Sequence, residues 1–467
     1  MNTQSNPMME VPVNTMLLRM AAPISLGMLS TFLFQIVDSY FVGKLGSNEL
    51  AALAFSSSAF FLFAAVFMGF SVGVSSVIAR AVGSGERQKA KMLTMVSLAL
   101  VVLVAVSLSL AGRAFVGPTF SALGASKDIL PLLDAYMGTL YLGLPLLMLG
   151  IVGSGAARAV GITKQTEVVF GIAGVINLVF DYLLIFGIGP FPELGLAGAA
   201  WATALSFGFI FLGVMFILTR QNLIGLSKLD GALAGLAEIL KFSLSTISMQ
   251  MLVPTTGIFT TFLLADYGSQ AVAAFGIVGR IESLALIGIF AVSMAVTPFI
   301  AQNFGAKEHE RIDQAVIFAG KASFYLGILL FAVLALLGPS IATIFSDDPA
   351  VINFVSIYFK IVAVSYAFQG LVAVTVAIFN GLQMPRIALK IMLVRTFVLV
   401  FPLLFIGSKF GLWWILAGLA AGNILAATYA AYLMRQSERK WNRPTAKAKP
   451  WLEFRQDLRK LISIAKS

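Results

Sequence analysis

Twelve stretches of this sequence are long and apolar enough to cross a bilayer, and no other feature restricts the fold so tightly. A spanning helix takes about 20 predominantly apolar residues. Segments of that kind run 15–41, 50–76, 92–112, 132–157, 167–187, 196–219, 242–265, 272–299, 314–337, 352–379, 388–408 and 411–434. Hydrocarbon offers backbone polar groups no partner, so each segment must satisfy its own as a helix. Runs of strictly alternating polarity are missing, which argues against a β-barrel. Turn signals such as VGSGER, GIGPFPELG, ADYGSQ and FSDDPA separate the segments. Charged residues make up only 11% of the 467, against about 25% in soluble domains. The fold class is therefore an all-α membrane protein with twelve transmembrane helices.

The connections give the orientation. Loops at 80–91, 158–167, 220–241, 302–313 and 386–390 carry 13 Lys and Arg residues, while the alternate loops carry only Lys44, Arg113, Lys127 and Lys409. The basic side faces the cytoplasm, and an even number of helices puts both termini there. The polar start, MNTQSNPMMEVPVNT, lacks a basic n-region and precedes a full-length span, so no cleavable signal is expected. A bacterial inner-membrane location follows for the reading as a whole. The net charge of +11 then reports basic loops against anionic lipid rather than nucleic-acid binding. Cysteine is absent and His309 is the single histidine, which excludes disulfides, thiol chemistry and Cys/His metal sites. No nucleophile–base set or phosphate loop is present, and VGSGER lacks the preceding strand a nucleotide site requires. An enzyme is not expected.

The chain repeats itself. Shifted by 222 residues, GSNELAALA (46–54) meets GSQAVAAFG (268–276), and IARAVGSGE (78–86) meets IAQNFGAKE (300–308). Between 46 and 90 the ungapped shift gives 11 identities in 45 positions, and Tyr136 meets Tyr358 farther on. Beyond that the register slips by six residues, where GLAGAAWA (195–202) best matches GLWWILAG (411–418). Six helices per half give both halves the same orientation, a parallel pseudo-two-fold repeat typical of transporters. The expected organisation is a cytoplasmic N-tail 1–14, a first lobe 15–219, a cytoplasmic linker 220–241, a second lobe 242–434 and a basic tail 435–467. The end of that tail reads either as an interfacial helix or as a solvated basic segment.

Asp38 and Asp181 stand inside spans. At 1.5 Å per residue, Asp38 lies about 5 Å and Asp181 about 9 Å below the outer ends of their helices, and Thr203 lies about 10 Å below the outer surface. Asn177 is one turn from Asp181 on the same face. Four polar groups of the first half thus share one depth and can form a proton-sharing cluster. Read singly, each aspartate also fits a snorkelled acid near a helix end. Read as a pair, they are disfavoured in the doubly ionised state by burial, by each other and by the negative ends of their helices, which suits a group that takes up and releases a proton. Pro23 removes a backbone bond from the first helix, giving either a hinge or a static kink. The second half carries no matching acids: Thr260 stands where Asp38 would fall and Leu403 where Asp181 would. Its own acid, Glu282, sits about 15 Å deep. Arg280, two residues earlier, faces elsewhere. Both read either as partners of other helices or as part of a second polar site. Lys321, Lys360 and Arg395 snorkel or pair internally. The 39 Phe and 18 Met suit large apolar cations as well as ordinary packing.

VDSYFVGKLG (37–46), GSGE (83–86), ARAVGITK (157–164), NLVFDYLLIFG (177–187) and GAAWAT (198–203), in this order and spacing, resemble the multidrug and toxic compound extrusion (MATE) family, most of all its DinF-like branch. The resemblance reaches to about residue 434. The major facilitator pattern after the second helix is not matched by ARAVGSGERQKAK. The resemblance implies proton coupling at the positions of Asp38 and Asp181, with Asn177 and Thr203 as network partners and Pro23 as the site of bending. In the NorM-like branch, acids of the seventh and tenth helices serve cation coupling; here the nearest polar residues are Gln250 and Gln369, which carry no charge.

The expected function is a proton-coupled antiporter, acting as a monomer, that exports amphipathic, often cationic compounds by alternating access. Sodium coupling, a channel, and a lipid-linked precursor flippase of the same superfamily remain open. A flippase should show a strongly basic central cavity. Protons, with sodium the alternative, are the coupling ion; no cofactor or nucleic acid is expected, and small amphipathic solutes and membrane lipids are the partners.

Overall fold

The structure is a computed structural model that describes residues 6–225 and 230–438. Among the described residues there is no strand, and twelve helices are long and apolar enough to cross a membrane. Lys228 and most of the basic tail lie outside the described residues.

The chain opens with α1 (Pro7–Glu10) and α2 (Val13–Gly43), followed by α3 (Ser47–Gly83), α4 (Arg87–Ala114), α5 (Val116–Ala122), α6 (Leu130–Ala159), α7 (Lys164–Phe186), α8 (Leu196–Arg220) and α9 (Ala232–Ala265). Then come α10 (Ser269–Ala285), α11 (Ile287–Gly305), α12 (His309–Ala342), α13 (Pro349–Ile361), α14 (Tyr366–Gly381), α15 (Pro385–Leu393), α16 (Phe401–Ser408) and α17 (Leu412–Glu438). Two compact units account for them: Pro23–Ile247, and the residues up to Ala22 together with those from Ser248. The division falls inside α2 and α9 rather than in the 220–241 linker. A helix propagates through its own hydrogen bonds, so it can leave one packed unit and enter the other without a break.

In the unit Pro23–Ile247, α6 is the central helix, packed against α3, α4 and α8. Small residues make this possible. A Cβ on Gly155 would stand 2.5 Å from the Ser71 carbonyl oxygen, and one on Gly198 would stand 2.5 Å from that of Leu184. Close backbone approach replaces the hydrophobic drive that lipid cannot supply. Gly187 ends α7 with a φ of 65°, the left-handed turn that lets the chain reverse into α8. Arg158 was counted above as a loop cation. It is instead buried at the end of α6, donating to Ser71 Oγ at 2.8 Å and standing 3.8 Å from half-buried Glu167.

In the other unit α14 is central, packed against α11, α12 and α17. Three spans that read as uninterrupted in the sequence are interrupted. Leu286 separates α10 from α11, a 3₁₀ turn at Ala363–Ser365 separates α13 from α14, and a π-helical stretch at Val394–Val400 separates α15 from α16. Apolar content fixes a span's length but not its internal hydrogen-bond register, so these breaks have no hydropathy signal. The start of the chain is bound to this unit. Arg311 donates to the carbonyls of Met8 at 3.0 Å and Val11 at 2.7 Å, and Asn6 donates to Gln302 at 3.0 Å. Residues 6–11, read as part of a cytoplasmic tail, are therefore docked.

Candidate functional site

Asp38 on α2 and Asp181 on α7 come together in the unit Pro23–Ile247. Their carboxyl groups meet closely enough to share a hydrogen bond when one of them carries the proton. Asp181 is 1% exposed. One oxygen of Asp38 and both oxygens of Asp181 are buried, with no hydrogen-bond donor among the described residues. Burying a carboxylate without a donor or a cation is expensive, so the geometry calls for a proton or a small cation between the two groups.

Asn177 and Thr203 lie nearby in sequence and depth, and they bond each other: Asn177 Nδ2 donates to Thr203 Oγ1 at 3.2 Å. The close approach of α7 and α8 at Gly198 sets that contact. Because both oxygens of Asp181 lack a donor, Asn177 does not donate to it. The expected four-residue cluster is thus an acid pair plus a separate Asn–Thr bond, with one interaction fewer than the depths suggested. Asn177 spends its amide on α8, not on its own helix.

Tyr136 on α6 is buried and lies within electrostatic reach of both acids. Sequence reasoning did not assign it a role, although its register with Tyr358 was legible. Pro23 stands at the boundary of the two units, within α2. Among the described residues no group of three or more His, Cys, Asp or Glu side chains could hold a metal ion.

The second polar cluster lies wholly in the other unit. Glu282 Oε1 accepts from Tyr358 at 3.0 Å and from Tyr366 at 2.7 Å. The two tyrosines flank the 3₁₀ turn and are almost fully buried. Arg395, inside the π-helical stretch, is within electrostatic reach of Glu282. It donates to Asn423 Oδ1 at 2.9 and 3.2 Å, and Asn423 donates to Ser365 Oγ at 3.2 Å. All three helix interruptions therefore adjoin one network, as irregular turns at membrane depth commonly do. Glu282 is held by other helices, as expected; Arg280 is not. It is exposed on the opposite side of α10, because residues two apart on a helix point away from each other. Gln250 on α9 and Gln369 on α14 are half-buried and stand outside the network. Thr260, the counterpart of Asp38, turns its hydroxyl onto the Thr256 carbonyl at 2.8 Å.

Comparison with known proteins agrees with this architecture. The MatE family model matches the chain twice, over residues 23–183 and 246–406, one match in each half of the repeat. The protein is 33% identical to the FAD transporter of Shewanella oneidensis, over 92% of this chain and 96% of that one. It is 26% identical to the multidrug export protein MepA of Staphylococcus aureus, over 91% and 94%. Among solved structures, the MATE transporter VcmN of Vibrio cholerae in its bent form superposes with a TM-score of 0.87 at 27% identity, covering 92% of this chain and 98% of that one. With twelve apolar helices, a duplicated architecture and two family matches that together span most of its length, the chain belongs to the MatE family of multi-pass membrane transporters and is not an enzyme.

Proposed function

We propose that this transporter is a proton-coupled antiporter of the bacterial inner membrane, with both termini cytoplasmic, that exports amphipathic compounds by alternating access. The observation that carries the reading is the Asp38–Asp181 pair: two acids in contact, with buried oxygens that have no donor among the described residues. Such a pair is satisfied while it holds a proton and is not satisfied when both groups are ionised. Open to the outside, the pair takes up protons. Protonation lets α2 repack about Pro23 and weakens the hold on bound solute, which leaves outward. Release of the proton to the cytoplasm then resets the cycle. The DinF-like motifs around these acids support the assignment, and Tyr136 joins them as a polar neighbour.

The cargo is a set of amphipathic small molecules handled by a monomer among membrane lipids, with no cofactor. One relative is named a multidrug export protein and another an FAD transporter, so the solutes range beyond simple cations. Sodium coupling is the second reading, since a bare carboxylate pair also suits a small cation. A flippase for lipid-linked precursors is the third.

The test uses everted vesicles with an acidified lumen. Adding ethidium should discharge the proton gradient with the wild type. Asp38→Asn and Asp181→Asn should each abolish that discharge. Full discharge in both variants overturns the assignment, and transport that follows an imposed sodium gradient at clamped pH replaces it with sodium coupling.

A further inference from the structure

The two ends of α2 are held differently. Val13, Met16, Leu17, Met20, Ala21 and Ile24 are buried, at the three- and four-residue spacing of one packed stripe. Across residues 25–41 only Gly27 is buried, and Leu26, Leu29, Leu33 and Ile36 stand exposed. Pro23 marks the change. It cannot donate to the Arg19 carbonyl, so the helix bends most readily there. The stem before it, residues 13–22, belongs to the unit that contains α11 and α12. The arm beyond it carries Asp38.

A clamp fixes the start of that stem. The single turn of α1 leaves its last carbonyls without helical donors. Arg311, in the first turn of α12, serves them: Nη2 donates to the carbonyls of Met8 at 3.0 Å and Val11 at 2.7 Å. Its Nε donates to Asn303 Oδ1 at 3.1 Å, and Asn303 Nδ2 donates to the Phe299 carbonyl at 2.8 Å. The guanidinium is thereby oriented against α11, with its carbon 5.7 Å from the centre of the Phe299 ring. Met8 and Asn303 are completely buried. Only Val11 and Pro12 separate α1 from α2, so a clamp on α1 is a clamp on the stem. By the 222-residue shift, Lys89 and Ala81 stand where Arg311 and Asn303 do. Lys89 pairs with Glu86 on its own side of the turn, and Ala81 has no side-chain donor, so the clamp is a device of one half.

We infer that Arg311 is a positioning residue of the transport cycle: by clamping α1 it fixes the start of α2 to α11 and α12 and confines the repacking of α2 to the arm that carries Asp38. This rests on the reading of Asp38 as a coupling acid and deepens it. A free stem would absorb a change at Asp38 by shifting together with the arm. A held stem makes the arm bend at Pro23 instead. The fork geometry of a guanidinium suits the task, because it reaches two backbone carbonyls and a side-chain amide at once.

Hydrogen exchange of the full chain in nanodiscs reads the clamp without any transport. Arg311→Met should speed exchange at the amides of Met9, Glu10 and Val11, which bond back to Asn6 and Pro7; unchanged exchange there overturns the proposal. Spin labels read the consequence. The chain has no cysteine, so single labels on Leu18→Cys in the stem and Leu33→Cys in the arm, both exposed, report without background. In alkaline buffer Asp38→Asn, a stand-in for the protonated acid, should alter the mobility of the Leu33 label and leave the Leu18 label as it was. With Arg311→Met added, Asp38→Asn should alter both. A Leu18 label indifferent to Asp38→Asn in the Arg311→Met background overturns the proposal and leaves the reading of Asp38 standing. A Leu33 label indifferent to Asp38→Asn with Arg311 intact overturns the repacking reading, and the proposal with it. In everted vesicles Arg311→Met should lower the maximal rate of ethidium-driven proton discharge several-fold at unchanged KM, since the clamp touches no solute and conformational steps set turnover. Arg311→Lys, which keeps the charge but not the fork, should recover part of that rate. An unchanged maximal rate in a variant whose α1 exchange has risen also overturns the proposal. Thermal unfolding identifies a variant that fails to fold. In that event Asn6→Ala, which removes the bonds from Asn6 to Gln302 and to the Met8 amide, carries the same measurements.

Discussion

Replacing Arg395 by methionine tests whether the second polar network is a coupled unit or a set of independent contacts. Glu282 would keep its bonds from Tyr358 and Tyr366 but lose the field of the Arg395 guanidinium. Asn423, 1% exposed, would lose both donors to its Oδ1. Removing one partner of a buried charge pair costs about 3–5 kcal/mol because the other charge is stranded. Arg395 retains some exposure, so the lower figure, about 3 kcal/mol, is the expectation. Adding Glu282→Gln removes the stranded charge and leaves the tyrosines a neutral acceptor. The double variant Glu282→Gln, Arg395→Met should therefore be more stable than Arg395→Met alone, with a coupling energy of at least about 1 kcal/mol. Denaturant unfolding of the purified protein in one detergent, run as a double-mutant cycle, reads this directly. Additive costs, or a double variant less stable than Arg395→Met, would refute the stranded-charge reasoning.

Two further outcomes follow from the unit Pro23–Ile247. Arg158→Met strands Glu167, whose side chain is 13% exposed, at a cost of about 3–5 kcal/mol; Glu167→Gln added to it should recover much of the loss in thermal unfolding. Gly198→Ala gains about 1 kcal/mol of intrinsic helix preference, yet its Cβ would stand 2.5 Å from the Leu184 carbonyl oxygen, so the net effect should be destabilising by about 1–3 kcal/mol, with faster hydrogen exchange across α7 and α8; a more stable variant would mean the two helices are free to separate.

Spans, repeat and family were legible because lipid imposes a one-dimensional rule: enough apolar residues in a row, with charges gathered in the loops. The acid pair was legible for the same reason. Asp38 and Asp181 violate the rule at similar depth, and depth along a helix can be counted. What depth does not give is azimuth across helices. Asn177 has the right level and the right face, yet the approach of α8 at Gly198 turns its amide to Thr203. Arg158 shows the converse. It reads as a loop cation by position, and only the packing of α6 between its neighbours reveals it as buried. Tyr136 and Tyr358 carried a signal in their shared register, but a tyrosine in an apolar helix is unremarkable until its neighbours are known. The interruptions at Leu286, Ala363–Ser365 and Val394–Val400 were invisible because they change hydrogen-bond spacing without changing composition.

The shared tyrosine position explains how a duplicated bundle ends with two different polar sites. A hydroxyl buried at membrane depth needs an acceptor. In one half the acids near Tyr136 come from α2 and α7; in the other, Tyr358 bonds an acid from α10. Position for position the two halves do not match: Thr260 and Leu403 stand where the first pair of acids would fall, and Phe60 stands where Glu282 would. The consequence is functional. The first site is a pair of acids whose buried oxygens have no donor among the described residues, which suits the proposed exchange of a proton. The second surrounds one acid with two hydroxyl donors and a guanidinium, which holds its side chain in place. A transporter of two equivalent halves would couple equally through both. On the proposed reading, the held network of one half leaves proton-driven repacking to the other, at α2 and α7. Transferring the coupling function to the second half would take more than restoring an acid at Thr260. Leu403 would also have to become acidic, and the two new acids would need a position outside the field of Arg395.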